Sequence, residues 1–226
     1  IINVTVAGGS GELGRKFVRA FLADGDYRVS VLSRADSQSE ALDSLRQQGV
    51  SVISVDYNQR DELVQALQGA DILVCTLDYV TGMSLQPTLV QAAKAAGVRR
   101  FVPSDFADES PELDALYSAD TGAIVRIIEE HQLEYTRYFC GMFYCYLATP
   151  DVGIDVKNRK ATVVGKGDAP LSLVNRDDIA RFVAASLKDP RSKNARFGIQ
   201  SCSTTFRELV ATIEKHSGVK LEVSHV

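Results

Sequence analysis

Apolar positions alternate from the first residues of the chain. Ile2, Val4 and Val6 alternate with Asn3 and Thr5, the period of a strand, and Ala7 leads into Gly8. Past the glycines the period lengthens. Leu13, Phe17, Val18, Phe21 and Leu22 recur at helical spacing. The same change of period repeats along the chain. Residues 28–33, 50–55, 71–77 and 100–103 read as strands. Between them, 35–48, 61–68 and 84–96 read as helices, stopped in turn by Gly49, Gly69 and Gly97. The run 71–77 is almost continuously apolar, which suits a parallel strand covered on both faces. A steady strand-then-helix period predicts a doubly wound parallel sheet.

After Pro103 the pattern loosens. Residues 104–117 read as an acidic loop carrying Asp105, Asp108, Glu109, Glu112 and Asp114. Such a loop is either simply solvated or part of a site beyond the fifth strand, since ligands of these folds bind beyond the carboxyl ends of strands. Residues 121–131 read as a helix and 134–139 as a sixth strand, followed by an aromatic run from Met142 to Leu147. From residue 151 the architecture changes. Residues 160–164 and 171–174 read as short strands about a glycine turn, 176–187 and 205–216 as helices, and 196–199 and 221–223 as strand-like. Thr205 and Glu208 stand at capping-box spacing. The expected class is α/β: a Rossmann sheet over 1–150 and a small α/β substrate lobe over 151–226, packed as one unit. The lobe reads as incomplete, and the start at Ile1 suggests native residues upstream.

Composition narrows the function. The 226 residues can bury a substantial core. The net charge is −4 with no long basic run, which argues against direct contact with nucleic acid or an anionic membrane. No apolar run is long enough to span a bilayer. Cys75, Cys140, Cys145 and Cys202 form no C-x-x-C, so they read as buried free thiols of a reducing compartment, and no metal site is expected. With no signal-peptide pattern, the expected location is cytoplasmic.

The glycines carry the chemistry. Gly9, Gly11 and Gly14 make G-x-G-x-x-G, while Gly8, Gly11 and Gly14 make G-x-x-G-x-x-G. The first glycine allows a tight turn, the second lets a pyrophosphate approach the backbone, and the third lets helix and strand pack closely. The anion then rests on free amides at a helix N-terminus. At the end of the second strand, where an NAD site usually places an acid, stand Ser33 and Arg34. A guanidinium suits a 2′-phosphate and stacks on adenine, so NADP(H) is the expected cofactor. Asp56 ends the third strand, either to accept from the adenine amino group or to cap a helix, with Tyr57 beside it on the cofactor side.

These residues resemble the NmrA-like and isoflavone-reductase-like group of atypical short-chain dehydrogenases/reductases. Gly8-Gly9-Ser10-Gly11-Glu12-Leu13-Gly14 is similar to the group's G-[GA]-[TS]-G-x-[LI]-G, and Ser33-Arg34 to its NADPH-selective strand end. The stretch from Gln86 through Arg100-Phe101-Val102-Pro103-Ser104-Asp105-Phe106 is similar to its R-F-[VIL]-P-S-[ED]-F region. Tyr135-Thr136, Gly141-Met142-Phe143 and Asp177-Asp178-Ile179-Ala180 match its later motifs. The resemblance implies that Ser10 to Gly14 hold the pyrophosphate and Arg34 the 2′-phosphate. Leu77 would line the nicotinamide side, and Pro103-Ser104 would border its ribose. Phe106, Phe139 and Phe143 would face a substrate pocket, although core packing also accounts for single aromatics.

The chain departs from the group in one respect that bears on the reaction. The reductases of the group carry a lysine before the sixth strand, to which the acid–base role is assigned. That position falls at or next to Ala123, and no lysine occurs from Ala95 to Val156. No tyrosine has a lysine four residues on, and the group's usual asparagine near 141 is Gly141. Tyr117 and Asp105 are the remaining acid–base candidates nearby. The expected activity is NADP(H)-dependent reduction of a small aromatic or polyketide-like molecule. Two alternatives stay open: a dinucleotide sensor acting through a protein partner without turnover, and an isomerase or cyclase on the same fold. Fold alone does not choose among them.

Overall fold

A computed structural model describes residues 1–107 and 122–226. The alternating pattern becomes β1 (Ile2–Ala7), α1 (Glu12–Asp24), β2 (Tyr27–Arg34), α2 (Glu40–Gln47), β3 (Ser51–Val55), α3 (Arg60–Ala66), β4 (Ile72–Cys75), α4 (Tyr79–Ala95) and β5 (Arg100–Val102). Then come α5 (Ala123–Glu130), β6 (Glu134–Cys140) and the short β7 (Met142–Phe143). The remaining elements are β8 (Ile154–Asp155), β9 (Lys160–Val163), β10 (Pro170–Val174), α6 (Arg176–Ser186), β11 (Ala195–Ile199), β12 (Cys202–Thr205), α7 (Phe206–Ser217) and β13 (Glu222–His225).

Seven strands form one parallel sheet in the order β11-β6-β5-β4-β1-β2-β3. The chain leaves β1 in one direction as far as β3 and resumes at β4 on the other side of β1. The switch point therefore lies between β1 and β4, where such sheets open a crevice beyond their strand ends. Strand β4 shows why both faces are covered. Ile72 and Val74 pack with Phe17, Phe21 and Val183, whereas Leu73 and Cys75 pack with Leu63, Leu89 and Ile128. The side-chain period of two sends alternate residues into opposite cores. A fully buried phenylalanine such as Phe17 contributes roughly 2–3 kcal/mol by its burial.

Of residues 151–226, α6 and β11 lie in this main α/β layer. Helix α6 packs on α1 through the ion pair of Lys16 with Asp177 at 2.9 Å. Lys188, just past α6, reaches Asp24 and Asp26 at 2.7 and 2.8 Å, and Tyr27 Oη donates to the Ala184 carbonyl at 2.6 Å. The other elements form two three-stranded sheets, β12-β10-β7 and β13-β9-β8, around Ile154, Ala161, Leu209, Val210 and Leu221. Helix α7 begins with the capping box that the spacing predicts: Glu208 N donates to Thr205 Oγ1 at 3.2 Å and Thr205 N to Glu208 Oε2 at 3.0 Å.

Several boundaries differ from the sequence reading. Helix α2 starts at Glu40, not at 35, because Ser39 takes the N-cap and residues 35–39 turn instead. Helix α4 starts at Tyr79, five residues earlier than its apolar spacing indicates, because the Asp78 carboxylate accepts from Thr81 N at 3.1 Å and caps it. Strands β7, β8 and β12 are too short to show a period. Cys75 and Cys140 are buried, but Cys145 and Cys202 are exposed, which corrects the reading of four buried thiols. Gly141 has a packing reason: a Cβ there would lie 2.1 Å from the Ser172 carbonyl oxygen, where β7 meets β10.

Candidate active site

The glycine turn sits at the switch point. Gly8 adopts φ +84°, a conformation that favours glycine, and its carbonyl accepts from Gly11 N at 3.0 Å. A Cβ on Gly14 would stand 2.2 Å from that carbonyl oxygen and 2.7 Å from Gly9 Cα, so the close approach of α1 to the turn requires glycine. A Cβ on Gly9 would meet Val31 of β2 at 2.6 Å. Both glycine registers are thus in use: Gly8 makes the turn and Gly9 seats it against β2. Gly11 is the N-cap of α1 and offers no side-chain acceptor, so the first-turn amides are left for an anion, which the helix dipole also favours. The cradle fits a pyrophosphate.

From this turn a cleft of about 630 Å³ runs along the strand ends. Gly8, Ser10, Gly11, Glu12 and Leu13 line its middle. Ser33 and Arg34 line one end, Arg34 being the last residue of β2. Ser37 stands beside them, carried there by the turn that replaces the first part of the expected helix; its amide donates to the Arg34 carbonyl at 3.0 Å. Tyr57 closes the same wall, donating its hydroxyl to the Leu32 carbonyl at 3.2 Å, and burial pushes that hydroxyl's pKa up. Asp56 is not on the cleft wall. Nor does it cap α3, whose N-cap is Gln59; its carboxylate accepts from Asn58 N at 2.9 Å in a local turn.

At the other end of the cleft, Leu77 and Ser104 lie together. Ser104 Oγ donates to the Leu77 carbonyl at 2.8 Å, and Ser104 N donates to Oε1 of the buried Gln86 at 2.8 Å. These bonds tie the ends of the neighbouring strands β4 and β5 to each other and to α4. Pro103 sets up that turn without lining the cleft. Thr76 makes the matching tie between β4 and β1, its hydroxyl donating to the Ala7 carbonyl at 3.0 Å. Thr76 and Ser37 were not legible as site residues, because polar residues at strand ends and in turns are ordinary; Gln86 was read only as part of a motif, not as a tie to Ser104.

A second cavity of about 930 Å³ adjoins the cleft and shares Phe106, Ala107, Phe143 and Tyr146 with it. Phe139, Met142, Leu171 and Ile199 add to its apolar wall. Phe106 is largely a core residue, set edge-on against Phe17 at 4.9 Å. Phe139 lies beneath two guanidinium groups, Arg137 at 4.6 Å and Arg196 at 5.6 Å from its ring centre. A small cavity of about 100 Å³ is lined by Ala123, Gln86, Ser104, Asp105 and Phe139, among others, with no lysine or arginine among its described lining.

The acid–base candidates fare differently. Asp105 Oδ2 receives Arg137 Nε at 2.5 Å, and both side chains are 7% exposed. This ion pair braces β6 against the end of β5. Tyr117 lies outside the described residues. One residue was read only as a helix start. Arg176, the first residue of α6, reaches across the cleft to pair with Glu12. Its guanidinium stacks over the Phe143 and Tyr146 rings at 5.2 and 5.5 Å. The acids that follow it, Asp177 and Asp178, drew attention to the helix start but not to the arginine before them.

A parallel sheet with a glycine turn at its switch point and a cleft along its strand ends defines a dinucleotide-binding α/β protein of the Rossmann type. More particularly, the chain belongs to the NmrA-like family, whose model matches residues 2–226. It is 31% identical over 214 residues to oxidoreductase BOA1 of Botryotinia fuckeliana, covering 87% of this chain and 70% of that protein. It is 32% identical over 243 residues to bifunctional pinoresinol-lariciresinol reductase 2 of Linum usitatissimum, covering 97% and 73%. The solved structure of AtPrR2 with NADP+ and (+)pinoresinol superposes with a TM-score of 0.85 at 26% identity, covering all of this chain and 78% of that one.

Proposed function

We propose that the chain is an NADP(H)-dependent reductase of a small aromatic molecule. The observation that carries this reading is the shared wall: a dinucleotide-sized cleft and an aromatic cavity meet at Phe143 and Tyr146. Its relatives include reductases of aromatic compounds, and one neighbouring structure holds NADP+ with an aromatic lignan. The amides of α1 and Arg34 hold the pyrophosphate and the 2′-phosphate. The Gln86–Ser104–Leu77 ties keep the far end of the cleft at fixed width. Phe139, Phe143 and Tyr146 give the adjoining cavity an aromatic wall against which an aromatic substrate packs.

When bound, the cofactor supplies the hydride, which passes to an electrophilic carbon of the substrate. No lysine stands among the described residues lining the cleft or the two cavities beside it. Ser104 Oγ donates to the Leu77 carbonyl, and Asp105 is paired with Arg137. Reduction on this reading needs no dedicated protein acid, since a solvent proton can complete it. The test is loss of reduced-nicotinamide absorbance with a panel of enones, quinone methides and benzylic ethers. Substrate-dependent oxidation of NADPH supports the reductase. Tight binding with no oxidation across the panel would overturn it in favour of a sensor or a non-redox enzyme.

A further inference from the structure

Arg176 is held in an unusual way for an arginine that bridges two parts of a protein. Nη1 pairs with Glu12, and Nη2 donates to Tyr146 Oη at 3.3 Å. Among the described residues, its Nε is the buried side-chain nitrogen or oxygen that finds no hydrogen-bond partner. A buried donor without an acceptor is costly, and such a group gains by any acceptor that arrives. Its present carboxylate partner is weakly held. The Glu12 side chain is 72% exposed, so water competes for it.

The position of Glu12 sharpens the point. It is the first residue of α1, on the turn whose amides cradle the pyrophosphate. A carboxylate beside a diphosphate is repelled by it unless a cation lies between them. Among the described residues lining the cleft, the cations are Arg34 and Arg176. Arg34 ends β2 and serves the 2′-phosphate end. Arg176 is the one of the two nearest the glycine turn; Arg15 and Lys16 lie with it and Glu12 on an adjoining pocket but not on the cleft wall. Its planar fork presents paired donors, which match two oxygens of one phosphate.

We propose that Arg176 exchanges partners when the dinucleotide binds, leaving Glu12 and donating to the pyrophosphate. The inference rests on the cofactor reading above. Arg176 then couples the substrate side to the cofactor, because its guanidinium lies on the Phe143 and Tyr146 rings that form the wall common to both cavities.

Equilibrium titration of the purified chain with NADP+ and with 2′-AMP tests it. The second probe carries the adenosine and 2′-phosphate but no pyrophosphate. Arg176→Gln is expected to weaken NADP+ binding by about tenfold or more while leaving 2′-AMP within about twofold. Glu12→Gln is expected to tighten NADP+ binding about threefold or more, because Arg176 is released from a competing anion. Arg176→Lys keeps the charge and loses the fork, so it should fall between wild type and Arg176→Gln. If Arg176→Gln does not fold, the Glu12→Gln and Arg176→Lys titrations decide alone. Equal losses for both probes in the Arg176 variants, or weaker NADP+ binding in Glu12→Gln, would show a static brace and overturn the exchange. A wild-type chain that binds neither probe would instead overturn the cofactor reading, and the exchange with it.

Discussion

Gly14→Ala adds one methyl group at the tightest point of the molecule. The new Cβ would lie 2.2 Å from the Gly8 carbonyl oxygen and 2.7 Å from Gly9 Cα. Ordinary contacts begin near 3.4 Å, so α1 and the turn must separate by more than an ångström. Neither side yields easily. Gly8 is pinned at φ +84° against Thr76, and α1 is held by its buried face, Phe17, Val18 and Phe21. Overpacking of this kind costs about 1–3 kcal/mol, and here the upper end applies because both obstacles are backbone. For a chain of this size each kcal/mol lowers Tm by about 2–4 °C, so a fall of about 6–12 °C is expected. The displaced first-turn amides should also lose at least about tenfold in NADP+ affinity, since charge-assisted bonds to phosphate depend on their geometry. Thermal melting by circular dichroism and calorimetric titration read the two effects. Gly25→Ala is the control: it sits at φ +83° with open space around its Cβ, so it should lower Tm without changing affinity. A Gly14→Ala protein that melts within about 2 °C of wild type would refute the reasoning.

Other outcomes follow from the same geometry. Arg34→Ser should weaken NADPH by about tenfold to a hundredfold and leave NADH almost unchanged, as measured by fluorescence titration. Asp105→Asn removes one carboxylate from the buried Arg137 and should cost about 1.5–3 kcal/mol in urea unfolding. Gly141→Asn should destabilise by about 1–3 kcal/mol, because its Cβ would strike the Ser172 carbonyl. At Glu134, burial raises the carboxyl pKa, but hydrogen bonds from Lys193 and Arg100 and the Arg99 charge outweigh it and leave the pKa below its usual 4.5. A depressed folded pKa gives stability that is present above about pH 4.5 and lost as pH falls through the folded value, so Glu134→Gln should flatten the acid limb of a Tm-against-pH curve below that point.

The part of the fold legible in the sequence is the part governed by local period. Strands β1 to β6 and their helices alternate apolar residues with a regularity that both cores impose. The glycine turn was legible because steric necessity leaves no choice of residue at Gly8 and Gly14. Legibility failed where a single side chain decides. Ser39 moved the start of one helix and Asp78 that of another, and a cap competes with periodicity over only a residue or two. It failed again where the site depends on contacts distant in sequence. Arg176 meets Glu12 across 164 residues, and Asp105 meets Arg137 across 32, separations that no local pattern encodes. At Asp56 the helix-cap alternative fails, since Gln59 takes the cap and the Asp56 carboxylate serves a local turn.

The place of β11 bears on how the chain is made. It fills the outer edge of the main sheet beside β6, yet it is encoded after β7 to β10 and α6. A ribosome adding about 5–20 residues per second therefore leaves β6 as an open edge for some seconds after that strand is complete. Helix α6, which covers one face of α1, arrives in the same interval. An unpaired strand edge beside an uncovered apolar face is a template for pairing with other chains. The nascent protein should then be most vulnerable to aggregation, and most dependent on chaperones, between the emergence of residue 140 and that of residue 199.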